Sequence, residues 1–345
     1  GYAYKNYQSQ FLSMQSSHRL AFRDMAADTQ GSLLISTDNG LYKRDPLSDN
    51  FIQIYDTVSA VETDGRNRLW IYKDNLWQLL DIHSGTCHPP LYDGSSAQRN
   101  NALLCIAGNE VYSFIGQKIY HYNEQDGQFK LCYVLPGAVG DVRFAQVTGD
   151  ALWVFANHGG LYQINRRSFK LEKYFTLPDF FEKLTLRALY VDMRKCIWLG
   201  TLEGMYVFHP EDGTWEQYRH IRTDPFSLPN NSVWTIYGDR QSNIWIGTYS
   251  GKLCYVNIGE GNAFRSWTPN NSGLSHVPVS AFAEDGETLW IGTEGGGLFC
   301  MNWSTRRIEP FTDPGGTTFN NVKSLLIDPK HNLWISTFRE GVDMY

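Results

Sequence analysis

One short pattern recurs along the whole chain and restricts its fold more than any other feature. Leu289-Trp290-Ile291-Gly292-Thr293 returns as Ile-Trp-Ile-Gly-Thr around Trp245, as Ile-Trp-Leu-Gly-Thr around Trp198 and as Leu-Trp-Ile-Ser-Thr around Trp334. Weaker copies centre on Leu34, Trp70, Val111 and Trp153, which brings the number to eight. Successive anchors lie 36, 41, 42, 45, 47, 45 and 44 residues apart, the repeat length of a four-stranded propeller blade.

Within each unit, short apolar strands alternate with turn residues. An Asp opens the first turn (Asp64, Asp192, Asp239, Asp285, Asp328), where a carboxylate can accept backbone N–H groups two residues on. A Gly closes the second turn (Gly160, Gly204, Gly251, Gly341) and supplies the positive φ of a hairpin reversal. The fourth strand is aromatic, as in Phe51 to Tyr55, Leu171 to Phe175 and Thr214 to Tyr218. These patterns predict an all-β fold, a β-propeller of four-stranded antiparallel blades, eight by repeat count with seven as the competing number. Strand 2–8 has no hairpin partner nearby, and 341–345 is a third strand with no fourth behind it. Strand 2–8 is therefore expected to complete the last blade, 322–345, and close the ring, with residues 1–345 as a single domain. Asp179 to Lys183 is the one short stretch of helical character.

Composition narrows the function. With 42% hydrophobic and 14% aromatic residues the chain can bury a large core. A formal charge of −6 and no run of Lys or Arg argue against nucleic acid or an anionic membrane as partner. No apolar run approaches the roughly 18–20 residues of a membrane span, so no membrane contact is expected of this chain itself. The six cysteines form no C-x-x-C pair and show no metal spacing, and no cofactor or metal is expected. Cys254 and Cys300 share one offset in consecutive repeats, which places them on matching strands of neighbouring blades, too far apart for a disulfide.

The signatures of common hydrolases, nucleotide-binding loops and zinc proteases are missing, and the chain is expected to be non-catalytic. A propeller can nonetheless assemble acids from several blades. Glu203, Glu294 and Glu340, all in second turns, are the residues a carbohydrate lyase or hydrolase on this scaffold would use. The flat bodies of Trp70, Trp153, Trp198, Trp245, Trp290 and Trp334 suit the wedge between blades and are assigned to inter-blade packing. Trp77, Trp215, Trp234, Trp267 and Trp303 stand off the motif and are the better candidates for exposed stacking.

Val233-Trp-Thr-Ile236, Asp239, Asn243-Ile-Trp-Ile-Gly-Thr248, Asn332-Leu-Trp-Ile335 and the lead-in Ser227-Leu-Pro-Asn-Asn-Ser-Val233 together resemble the two-component-regulator propeller repeat. The resemblance covers essentially the whole chain. It implies the periplasmic sensor region of a hybrid two-component histidine kinase of the kind with which gut Bacteroidetes sense polysaccharide fragments. It also implies seven blades, against the eight counted here. The expected ligand is a glycan fragment, with neighbouring domains of the same protein and a second copy of the chain as further partners. A pure interaction scaffold is the remaining alternative. Polar amides, acids and an Arg can bond sugar hydroxyls while Tyr and Phe offer stacking faces. On that ground the ligand contacts are placed at Asn157, His158, Glu203, Tyr249, Glu294, Phe338 and Arg339 in the second turns, with Asn231 and Asn321 at the strand starts.

Overall fold

The computed structural model describes residues 5–6, 22–27, 33–37, 39–45, 47–48, 50–66, 68–81, 86–95, 103–137, 140–156, 160–178, 181, 184–224, 226–239, 243–249, 252–257, 264–268, 272–275, 277–312, 319–338 and 341–345. These form eight four-stranded antiparallel sheets, seven of them running in chain order from first to fourth strand. The count of eight holds, and seven does not. The fold is an all-β propeller, and the eighth blade shows how the sequence ends are used. Val322–Ile327, Leu333–Thr337 and Gly341–Met344 supply three strands, and Lys5–Asn6 supplies the fourth, with Lys5 opposite Met344 and Asn6 opposite Asp343. Of the 179–183 stretch only Phe181 is described, as a single residue of 3₁₀ turn.

The chain divides into two compact units, Gly1–Phe22 with Leu184–Tyr345, and Arg23–Lys183. Each unit carries four blades. Inside each, neighbouring blades approach through their first strands, while the second and third strands are the most deeply buried.

A buried Asp–Trp pair explains the spacing of the repeat. The indole Nε1 of Trp70 donates to Asp64 at 2.9 Å, Trp198 to Asp192 at 3.0 Å, Trp245 to Asp239 at 2.6 Å and Trp334 to Asp328 at 3.0 Å. In each case the acid lies six residues before the ring. The other carboxylate oxygen takes the backbone N–H groups that fold the first turn, as from Lys330 and Asn332 to Asp328. One side chain therefore closes the turn and satisfies a buried indole, which would otherwise be a lone polar group in apolar surroundings. The ring itself reaches the following blade. Trp70 meets Tyr122 edge-on at 5.0 Å, and Trp245 meets Trp303 at 5.4 Å while stacking on Trp267 of its own blade. All six motif tryptophans are buried.

Two blades depart from this rule. Trp153 has Val147 six residues earlier, and its buried Nε1 has no partner among the described residues. In the seventh blade the first turn is a tight reversal with Asp285 opposite Thr288, so the residue six before Trp290 is Glu284. Glu284 instead accepts from the Tyr237 hydroxyl at 3.3 Å. The expectation that Asp285 is equivalent to the other turn acids is thus corrected. It sits one place late and pairs with His331 of the eighth blade at 2.6 Å.

The glycine after the motif Trp is a contact residue. A Cβ on Gly200 would lie 2.6 Å from Val233, one on Gly247 2.9 Å from Val279, and one on Gly292 2.6 Å from Val322. Each valine opens the first strand of the next blade and is fully buried. The Gly and the Val are therefore two sides of one close approach between blades. All six cysteines are free, and Cys254 and Cys300 lie on the third strands of successive blades.

Candidate functional site

The first strand of each of five blades carries a β-bulge at its second residue. In the sixth blade Val233 pairs with Thr248 and Thr235 with Gly247, which leaves Trp234 out of register. The same break falls at Arg143, Arg187, Ser280 and Lys323. A bulge turns its extra side chain away from the ladder, and repeated at one height it builds a row of outward-aimed residues.

The second turns meet this row. In the fifth to eighth blades the first residue of the second turn donates its N–H to the carbonyl just before the first strand: Leu202 to Thr185 at 3.3 Å, Tyr249 to Ser232 at 2.9 Å, Glu294 to Pro278 at 2.9 Å and Phe338 to Asn321 at 2.9 Å. The motif Thr fixes the turn from within, as Thr201 Oγ1 donates to the Gly204 carbonyl at 2.8 Å and accepts from the Glu203 N–H at 3.0 Å. Gly204 holds φ at +136°, and a Cβ there would strike the Tyr218 carbonyl. In the Leu184–Tyr345 segment the face therefore combines the bulge residues Arg187, Trp234, Ser280 and Lys323 with the turn residues Leu202, Tyr249, Glu294 and Phe338.

These groups form two joined sets. The Arg187 guanidinium lies 4.4 Å above the Trp234 ring, which stacks against Tyr249 at 6.3 Å with 27° between planes. Trp234 is oriented by its Nε1 donating to Ser232 Oγ at 3.2 Å. In the second set Lys323 Nζ reaches Glu294 at 2.5 Å and lies 5.4 Å from the Phe338 ring, linking the seventh and eighth blades. Tyr249 is 50% exposed and Phe338 39%, large values for aromatic side chains. Stacking faces, cations and a carboxylate on one rigid rim can hold a ring-shaped, hydroxylated ligand by face contact and hydrogen bonds.

Of the residues expected to touch ligand, Tyr249, Glu294, Phe338 and Asn321 belong to this face. Glu203 is in the second turn of the fifth blade, and its buried Oε2 has no hydrogen-bond partner among the described residues. Asn231 is committed elsewhere: its Oδ1 accepts from the His220 N–H at 2.7 Å and ties down the loop before the sixth blade. Asn157, His158, Arg339 and Glu340 lie outside the described residues. Trp234, one of the off-motif tryptophans considered for stacking, also belongs to it, and Arg187 and Lys323 are the additions. Their signal in the sequence is small, each following the Leu or Val that opens a first strand. Trp77, Trp215, Trp267 and Trp303 are part-buried, and the first three pack on Tyr72, Phe208 and Trp245.

The Arg23–Lys183 unit holds a cleft of about 690 Å³ near Arg66, Glu110, His121, Glu124 and Phe169. Its charges answer one another, Arg66 and Arg68 pairing with Glu124 and Arg166 with Glu110. Burial between Tyr112 and Phe169 lowers the His121 pKa, against the pull of the Glu110 and Glu124 carboxylates. No group of three His, Cys, Asp or Glu among the described residues is placed to hold a metal ion. Burial raises every cysteine thiol, Cys105 to about 11 and Cys132 to about 12.

Comparison with known proteins follows the same line. Residues 227–250, which contain the Trp234 bulge and the motif to Thr248, match the two-component regulator propeller. Over 272 residues, 73% of the chain, the sequence is 24% identical to histidine kinase P4 of Formosa agariphila. The chain spans about a fifth of the length of that relative, 19%. Among solved structures it is similar to the computationally designed Ika8 protein, with a TM-score of 0.70, 14% identity and coverage of 96% and 97% of the two chains. The yeast Sqt1 structure from Saccharomyces cerevisiae gives 0.65 at 12% identity, with 96% of both chains covered. The extracellular domain of BT4673 from B. thetaiotaomicron is 20% identical, with 92% of this chain and 50% of that one covered and a TM-score of 0.48. The repeat match, lying where the bulge, the Asp239–Trp245 pair and the motif Gly coincide, shows that the chain carries the two-component regulator propeller repeat.

Proposed function

We propose that this chain is a non-catalytic, ligand-sensing propeller of a two-component signalling protein, and that it binds an oligosaccharide fragment on the face of bulge and second-turn residues. The observation that carries the reading is the row Arg187–Trp234–Tyr249 beside Glu294–Lys323–Phe338. Exposed aromatic faces and paired charges are held there by backbone hydrogen bonds repeated from blade to blade. The similarity to a histidine kinase supports a parent with kinase activity, with this segment as its extracytoplasmic part, the periplasmic region of an inner-membrane protein. Binding shifts the population of a packing arrangement against neighbouring domains or a second copy, by as much as the ligand prefers one state over the other.

A thermal-shift screen of the isolated chain against oligosaccharides tests this. A ligand at 100 times its dissociation constant stabilises the fold by about 2.7 kcal/mol. The expected result is a shift with one glycan class, abolished by Trp234→Ala with Lys323→Gln, and a glycan recovered intact. Cleavage of the glycan selects the lyase or hydrolase reading instead, and no shift with any glycan selects the scaffold.

A further inference from the structure

The seam between the seventh and eighth blades differs from those sealed by an Asp–Trp pair. At Trp70, Trp198, Trp245 and Trp334 the turn acid covers the indole edge, but here Glu284 is turned to Tyr237 and Asp285 to His331. A pocket of about 270 Å³ opens in their place. Trp290, Phe311 and Tyr345 line it with three aromatic rings packed edge to face, with centroids 5.0, 5.6 and 4.6 Å apart, and Leu333 lines it as well. Asp285 and His331 stand at its rim, the His ring largely exposed.

The charged groups of this pocket are few, the Asp285 carboxylate with the His331 ring beside it. Among the described residues no Lys or Arg lines it, and Asp285 is its formal charge. Cys300 also lines it, and burial, with the nearby Glu309 carboxylate second, raises that thiol and keeps it protonated. Three electron-rich ring systems with a carboxylate at the mouth attract a weakly hydrated cation, because ring quadrupoles and the acid act together.

We infer that the Trp290–Phe311–Tyr345 pocket is a binding site for a small organic ammonium group, anchored by Asp285 and bounded by His331. The site is separate from the bulge and second-turn face and does not depend on the sensing role assigned to it. His331 competes with the ligand for Asp285.

The test uses the whole 345-residue chain and two probes, choline and its uncharged carbon isostere 3,3-dimethyl-1-butanol, followed at the Trp290 indole N–H resonance. Choline is expected to move that resonance in a saturable way and the isostere to bind at least about tenfold more weakly. Asp285→Asn is expected to weaken choline about tenfold, whereas His331→Ala, which frees the carboxylate, tightens it. Equal binding of the two probes, no movement of the Trp290 resonance in folded protein, or Asp285→Asn binding like the parent overturns the inference. Should Asp285→Asn fail to fold, the two probes and His331→Ala decide it.

Discussion

Replacing Asp328 by Asn removes little volume and one negative charge, and its cost can be worked from the four hydrogen bonds the carboxylate accepts. One oxygen takes Trp334 Nε1 at 3.0 Å and Asn332 Nδ2 at 2.7 Å; the other takes the N–H groups of Lys330 at 2.8 Å and Asn332 at 3.0 Å. An amide has one acceptor oxygen, so whichever way it turns, two of the four donors face an NH₂. A stranded buried donor costs about 1–3 kcal/mol. The amide will keep its oxygen on the buried indole and leave the turn N–H groups to water, which puts the loss near 2–3 kcal/mol. Asp285→Asn is the internal control, since its partner His331 is exposed and no motif indole depends on it. That change is expected to fall within about 1 kcal/mol of the parent. Urea unfolding of both variants, with hydrogen exchange at residues 324–337 as a local readout, makes the comparison. If Asp328→Asn unfolds within about 0.5 kcal/mol of the parent, or if the two variants lose the same amount, the Asp–Trp pair is not what holds the turn to the core.

The same carboxylate gives a pH dependence. Burial works to raise the Asp328 pKa, and the bonds from Asn332, Trp334 and Lys330 outweigh it, leaving the value below the ordinary 3.8. A folded-state pKa below the unfolded one means stability that is complete above the unfolded value and lost as pH falls through the folded one. The parent should therefore lose more stability than Asp328→Asn when titrated downward from about pH 5, a difference readable in parallel melts. Gly292→Ala brings a methyl group within 2.6 Å of Val322 and should destabilise by about 1–3 kcal/mol, with part recovered in Gly292→Ala/Val322→Ala; denaturant midpoints show whether the two changes couple. Glu294→Gln releases Lys323 while leaving the turn N–H bonded to Pro278. It should leave the melting temperature within a degree or two while changing the affinity of any responding glycan, measured by calorimetry.

The fold was legible because it rests on local chemistry. Turn residues at fixed offsets and apolar pairs at period two specify each hairpin, and the unpaired first and last strands pointed to each other. The Asp–Trp pairs were hidden for a physical reason: residues six apart have no fixed relation along a strand and meet only once the first turn has folded. Asp285 shows the consequence, since a turn one residue shorter moves the acid out of reach of Trp290 while the string still looks the same. The site was half legible. Tyr249, Glu294 and Phe338 follow the motif Thr and were found by position. Arg187, Trp234 and Lys323 owe their direction to bulges, which exist only in the pairing of two strands. Asn231 read as a contact residue because it is polar and precedes a strand, but its side chain is used in holding the loop at His220.

The central claim is that ligand meets the chain on the bulge and second-turn face. Hydrogen–deuterium exchange of the chain with and without a glycan that raises its melting temperature measures this most directly. The account predicts new protection at residues 185–189, 232–236, 248–249, 278–282, 293–295, 321–324 and 337–338. Protection confined instead to the first turns, around Asp64, Asp192, Asp239 and Asp328, would place the ligand on the opposite end of the blades and contradict it.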